Sequence, residues 1–186
     1  MNMPRLPFRR PSALASLLLL LALLAPASGV QAADVAVAFS PGVGDLTAEA
    51  LVLESIGDAR SSISVAAYSF TSRSIAQALI EAHKRGVDVR VVADQSSRTI
   101  RYNGPQALAN AGIAVRVSTA YAVMHDKFMV IDGVSIQTGS FNYTQAAAER
   151  NAENVLYIRN HAPLAQEFQT EWLRLWDRAD PLVARY

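Results

Sequence analysis

The stretch from Met124 to Thr144, "MHDKFMVIDGVSIQTGSFNYT", constrains the fold more than any other part of the chain. Asp132-Gly133 separates two runs rich in apolar and β-branched residues. A two-residue hairpin turn needs positive φ at both central positions, and Asp-Gly is among the few pairs that supply it. Two antiparallel strands are therefore expected, "HDKFMVI" and "VSIQTGS", joined at Asp132 and Gly133. With a two-residue turn, Ile131 pairs with Val134, Met129 with Ile136, Lys127 with Thr138 and His125 with Ser140. Side chains directly paired, or two apart along a strand, share a face. The pattern thus gathers His125, Lys127, Ser140 and, if the strand continues, Asn142 on one side of one hairpin. It turns Asp126 to the other side and leaves Asp132 in the turn, pairing locally.

Around this hairpin the chain alternates short strand signals with helical ones, which argues for an α/β domain with a central mixed β-sheet flanked by helices. "DVAVAF", "SISVAAYSF", "VDVRVVAD", "IAVRVS" and "ENVLYI" read as strands. "TAEALVLESIGDA", "SRSIAQALIEAHKRG" up to Gly86, and "GPQALANAG" with Pro105 near its start and Gly112 at its end read as helices. The last helix, "PLAQEFQTEWLRLWDRA", places Leu164, Phe168, Trp172 and Leu175 on one face. Trp172 and Trp176 therefore belong to a stripe that covers the sheet rather than to a membrane face.

The N-terminus reads differently. Arg5, Arg9 and Arg10 precede the apolar block "ALASLLLLLALLA", and small residues follow in "PASGVQAAD", the form of a secretory signal peptide. Val30 and Ala32 suit cleavage after Ala32, giving a signal at residues 1–32 and a single domain at residues 33–186. The alternative, an uncleaved anchor, is disfavoured because the block falls short of the roughly 20 residues a spanning helix needs. An exported protein, periplasmic or secreted and without stable membrane association after cleavage, is expected. Losing three arginines reduces the 17 basic residues to 14 against 16 acidic ones, a net charge of −2. Bulk charge recruits no polyanion, so any nucleic-acid contact must come from a local cluster. The chain has no cysteine, which excludes disulfides, thiolate metal sites and thiol nucleophiles.

The residues gathered on the hairpin suit attack on a phosphoryl group. An imidazole can be the nucleophile, a lysine ammonium neutralises non-bridging oxygens, and hydroxyl and amide groups complete a cradle. A metal is not called for: the hairpin face offers one histidine and no carboxylate, and the chain has three histidines in all. No cofactor is implied.

His125, Lys127 and Asp132, followed by Gly139, Ser140 and Asn142, resemble the H-x-K-x4-D-x6-G-S-x-N signature of the phospholipase D superfamily, and every spacing fits. With one copy of this HKD motif and the upstream run "YSFTSRSIAQALIEAHKRGVDVRVVAD", the chain is similar to the small bacterial endonucleases of that superfamily from about Val35 to the last helix. The resemblance implies a phospholipase D-like fold and a covalent phosphohistidine at His125. It further implies that Lys127, Ser140 and Asn142 hold phosphate oxygens, with Asp132, Gly133 and Gly139 structural. It implies a homodimer in which the two copies of His125 face each other, one attacking and one protonating the leaving oxygen. Glu153, in the "N-x-E-N" context similar to those nucleases, is expected to fix the ring of the histidine, which needs its second nitrogen held.

The remaining signals are weaker. His83 sits in the last turn of a helix beside Lys84 and Arg85 and reads as structural, and His161 reads as a surface loop residue. Arg98, Arg101 and Tyr102 in "DQSSRTIRYNG" form a candidate edge for a nucleic-acid backbone. The function expected is an exported, metal-independent endonuclease acting on DNA and, in a broader reading, RNA. Its rivals are a lipid phosphodiesterase and a catalytically silent nucleic-acid-binding module.

Overall fold

Helix starts are set by side-chain caps. Thr47 accepts from Ala50 N to open α1 (Ala48–Asp58), Ser72 from Ile75 N to open α2 (Arg73–Lys84), and Asn103 from Gln106 N to open α3 (Gly104–Asn110). Thr144 caps the short α4 (Gln145–Glu149), and α5 (Ala162–Asp177) begins at His161, whose Nδ1 accepts from Leu164 N at 3.2 Å. His161, expected as a surface loop residue, is half-buried and serves as the cap of this helix. Gly86 and Gly112 follow α2 and α3 with φ of 93° and 86°, where a β-carbon would strain the chain.

The structure, a computed structural model, describes residues 34–42, 46–98 and 103–185. The signal sequence expected at residues 1–32 lies outside the described residues. Eight strands form one mixed sheet in the order β1-β7-β6-β5-β2-β3-β4-β8. They are β1 (Asp34–Ser40), β2 (Ser62–Ala67), β3 (Asp88–Asp94), β4 (Ala114–Ser118), β5 (Lys127–Ile131), β6 (Ser135–Gly139), β7 (Glu153–Arg159) and β8 (Ala179–Pro181). β2, β3 and β4 run parallel, with α2 and α3 making the crossovers that parallel neighbours need, and the other pairs are antiparallel. The mixed sheet flanked by helices is the architecture expected.

The two sheet faces are covered unequally. α1, α2 and α3 bury one face with Leu51, Ile56, Ile75, Leu79 and Leu108 against Ile63, Val91, Met129 and Tyr157. On the other face α5 packs Ala165, Trp172 and Leu175 onto Ala66, Phe128, Val130 and Ile136, with Leu164, Phe168 and Trp176 alongside. Trp172 is 1% exposed and its Nε1 donates to Val65 O at 2.8 Å, so the indole is buried with its polar atom satisfied. Toward β1 this second face carries exposed apolar side chains: Val35, Val37 and Phe39, alternating along the edge strand, are 55%, 49% and 59% exposed.

The hairpin register differs from the expected one. Asp132 and Gly133 do have φ of 53° and 69°, and Val134 N donates to Ile131 O, as an Asp-Gly turn requires. The first pair of the ladder, however, is Ile131 with Ser135, followed by Val130 with Ile136, Met129 with Gln137 and Phe128 with Thr138. Val134 is carried in the loop, its carbonyl accepting from His161 N at 2.7 Å, while Ser135 Oγ accepts from Asn160 N. These bonds to the β7–α5 connection lengthen the loop by one residue. The shifted register lets Phe128, Val130 and Ile136 all face α5.

Asp132 does not pair locally. Its carboxylate accepts from the backbone N–H groups of Arg60, Ser61 and Ser62 and from Ser61 Oγ, tying the turn to the start of β2. Burial alone pushes this carboxyl up, but the N–H donors outweigh it and hold it below the ordinary aspartate value. A folded value below the unfolded one stabilises the protein above the ordinary aspartate range and ceases to do so as pH falls through the lowered value. Asp132→Ala is expected to cost about 2 kcal/mol. Urea unfolding at neutral pH and in the acid range checks this: the gap between variant and wild type should narrow on acidification, and an unchanged gap would contradict it.

Candidate active site

The C-terminal ends of β2, β3 and β4 and the start of β5 lie at one end of the sheet, where α/β folds present their ligand sites. Asp94, the last residue of β3, is 3% exposed, and its carboxylate accepts from Met124 N and Ser96 N, each at 2.9 Å. Burial raises this carboxyl, yet the N–H donors win and keep it below the ordinary aspartate value. The bond to Met124, itself buried, pins the residue immediately before His125. An aspartate closing a buried "VVAD" strand was the available sequence signal for this anchor, which sequence reasoning missed.

His125 and Asp126 precede β5 rather than belonging to it, so strand alternation does not apply to them. Both line the same cleft, of about 590 Å³, with Lys127, Phe128, Thr138, Gly139, Ser140, Asn142 and Glu153. The expectation that Asp126 points away is therefore corrected. α5 supplies the remaining wall, Glu167, Phe168 and Glu171, none of which the sequence singled out. Partial desolvation and then the Glu171 carboxylate push the Asp126 carboxyl up, against the pull of Lys127.

Lys127 is 8% exposed, flanked on β2 by Ala67. Its Nζ lies 3.0 Å from His125 Nδ1 and also donates to His125 O. Burial lowers its pKa from the ordinary lysine value, while Asp126 and Glu153 oppose the fall. Tyr68, just beyond β2, completes this corner: its ring centroid is 4.5 Å from that of His125 and 4.9 Å from Lys127 Nζ.

Gly139 has φ of 152°, and a β-carbon there would stand 2.2 Å from Asn154 O. Only glycine lets β6 pass β7 this closely and deliver Ser140 to the cleft. Ser140 Oγ donates to Glu153 Oε2 at 2.5 Å and accepts from Asn154 N at 3.1 Å. Glu153 Oε1 accepts from Asn151 Nδ2 at 3.0 Å. Asn142 Oδ1 is buried without a partner among the described residues. The structure thus brings together His125, Lys127, Ser140, Asn142 and Glu153. Within one chain it is Lys127 that meets His125 Nδ1, whereas Glu153 is engaged by Ser140 and Asn151. Arg98 stands apart, in the 3-10 turn Gln95–Arg98, 3.5 Å from Asp180, and does not line the cleft. Arg101 and Tyr102 lie outside the described residues. Among the described residues, no three His, Cys, Asp or Glu side chains are grouped so as to hold a metal ion.

Comparison with known proteins places this geometry. Residues 52–176 match the family described as cardiolipin synthase, PLD-like domain. A mitochondrial cardiolipin hydrolase of Danio rerio is 41% identical over 131 residues, 70% of this chain and 57% of that protein. A phospholipase D of Rickettsia bellii is 38% identical over 122 residues, 66% of this chain and 60% of that protein. The chain spans about three-fifths of the length of the curated relatives it matches first. Among solved structures, Nuc, a phospholipase D family member from Salmonella typhimurium, superposes with a TM-score of 0.78 at 38% identity, covering 82% of this chain and all of Nuc. NucT from Helicobacter pylori shares the fold, with a TM-score of 0.72 at 20% identity over 81% of this chain and all of NucT. With the family match extending over more than half of its residues, and a single HKD hairpin forming the cleft, the chain belongs to the phospholipase D superfamily, among its small Nuc-like members.

Proposed function

We propose that the chain is a metal-independent phosphodiesterase, an endonuclease that is exported after loss of residues 1–32 and works as a homodimer. The observation that carries this reading is the contact of a buried cation, Lys127, with the imidazole of His125 in a cleft that also holds Ser140, Asn142 and Glu153. Phosphate oxygens entering the cleft compete for the Lys127 ammonium and draw it from His125. Once Nδ1 is released, the tautomer with its proton on Nδ1 leaves the Nε2 lone pair free to attack phosphorus, a P–N bond forms, and the bond to the leaving oxygen breaks. That oxygen takes a proton from His125 of a second copy, which afterwards removes a proton from water as the water displaces the histidine.

Attack through Nε2 requires a proton on Nδ1 and an acceptor to hold it. Glu153 does not reach His125 within one chain, so in this reading its carboxylate orients the ring across the dimer. The exposed stripe of Val35, Val37 and Phe39, on the edge strand whose Ser40 pairs with Glu153, supports such an assembly by offering an apolar surface to a second copy.

A second reading, a phosphodiesterase acting on phospholipid, is favoured by the aromatic wall of Phe128 and Phe168, whose ring centroids stand 5.0 Å apart edge to face, and by the names of the curated relatives. One experiment separates the two. The purified protein is incubated in excess chelator with plasmid DNA and, separately, with vesicles of phosphatidylcholine and of cardiolipin. Cutting of DNA alone, weakened steeply by salt, is the expected result. Hydrolysis of lipid alone would install the second reading. Activity abolished by chelator and restored by magnesium or zinc would overturn the metal-independent mechanism, and no turnover of either substrate would leave a silent binding module.

A further inference from the structure

We propose that Tyr68 is a positioning residue for the reaction, an aromatic platform that sets the plane of the His125 ring and supports the Lys127 ammonium. The inference deepens the phosphodiesterase reading and rests on it. His125 is exposed, and Lys127 is the one side chain that hydrogen-bonds its ring among the described residues. When phosphate draws Lys127 away, that bond no longer restrains rotation of the imidazole. Within the same chain the Tyr68 ring still does: it lies against the imidazole at a centroid distance of 4.5 Å and an interplanar angle of 49°.

The backbone holds this platform in register with what it supports. Tyr68 N donates to Asp126 O at 2.9 Å, so the peptide between His125 and Lys127 is tied directly to the residue whose ring they share. Lys127 Nζ stands 4.9 Å from the centre of the same ring, and the negative face of an aromatic ring favours the charged form of an ammonium that burial disfavours. Tyr68 is half-buried and is not among the residues lining the cleft. Its effect on the reaction therefore passes through His125 and Lys127.

Tyr68→Phe keeps the ring, and Tyr68→Leu removes it. The expected result is a kcat within about twofold of wild type for Tyr68→Phe. Tyr68→Leu should lose about 30-fold in kcat, with substrate affinity changed less than about threefold, because geometry is lost while the phosphate-holding groups remain. Equal losses in both variants, or a wild-type kcat in Tyr68→Leu, would overturn the proposal. Tyr68→Met replaces Tyr68→Leu should the latter fail to fold. A second measurement separates this proposal from the reading beneath it: acylation of His125 by diethyl pyrocarbonate, mapped by peptide mass with His125→Ala as blank. Removing the ring should speed acylation several-fold while Tyr68→Phe matches wild type, even if the wild-type protein turns over neither DNA nor lipid. Equal acylation rates in all three proteins would overturn the platform independently of activity.

Discussion

A His125→Ala chain is expected to fold and bind substrate normally and to lose turnover by roughly 10⁴-fold or more, the scale seen when a nucleophile is removed from a concerted site. The fold should survive because the imidazole is exposed and anchors no helix or strand; the Met124 backbone, held by Asp94, fixes the segment without it. Mixing the variant with wild type then tests whether two copies share one site. Random re-pairing at equal amounts leaves about a quarter of dimers fully wild type, because an isologous contact does not distinguish the two proteins. A composite site should show about one quarter of the rate of wild type refolded alone at the same total protein. A self-sufficient site in each chain gives one half. Subunit exchange is verified by pull-down of a tagged copy, and a rate of one half with exchange verified would end the composite model.

The second large effect is expected at Lys127. Lys127→Met keeps the length of a nearly buried side chain and removes its charge, so loss of function and loss of fold separate. Folding the native lysine lowers its pKa, and its charge therefore costs stability below the lowered value. That cost vanishes as pH rises past the unfolded value. The methionine variant should accordingly unfold at the same urea concentration as wild type or higher, while kcat/KM falls about 10²- to 10³-fold, as when one group facing a developing oxyanion is deleted. Wild-type activity should fall on the alkaline side before the ordinary lysine range is reached. A Lys127→Met enzyme with more than a tenth of wild-type kcat/KM would remove Lys127 from the phosphate-holding set.

Much of this site was legible because its chemistry is compressed into one hairpin. The spacing from His125 to Asn142 gave the cluster, and Asp132-Gly133 gave its turn. Local signals could not give the register, because bonds from His161 and Asn160, far along the chain, retain Val134 in the loop. The error carried no penalty for His125 and Ser140, which lie beyond the strand ends and reach the cleft through loop geometry. It did mislead at Asp126, where an alternation rule was extended past the first residue of β5. The α5 wall of Glu167, Phe168 and Glu171 was hidden for another reason. Helical periodicity reports which face meets the sheet, and it says nothing about which turn overhangs a cleft. Likewise Tyr68 and Asp94 act on residues 30 or more positions away, through contacts that a linear pattern does not encode.

The pairing of β1 with β7 sets an order on assembly. Asp34 partners Arg159 and Ser40 partners Glu153, so the first strand closes a loop of more than a hundred residues before any of its ladder bonds form. Closing such a loop is entropically unfavourable, and contacts between distant positions are the slow ones in folding. A growing chain can complete the helix-linked trio β2, β3 and β4 while β1 still waits for a neighbour. The segment next to residues 1–33 is consequently among the last to become protected. The edge strand β1 is accordingly expected to join the sheet after the helix-linked strands have formed.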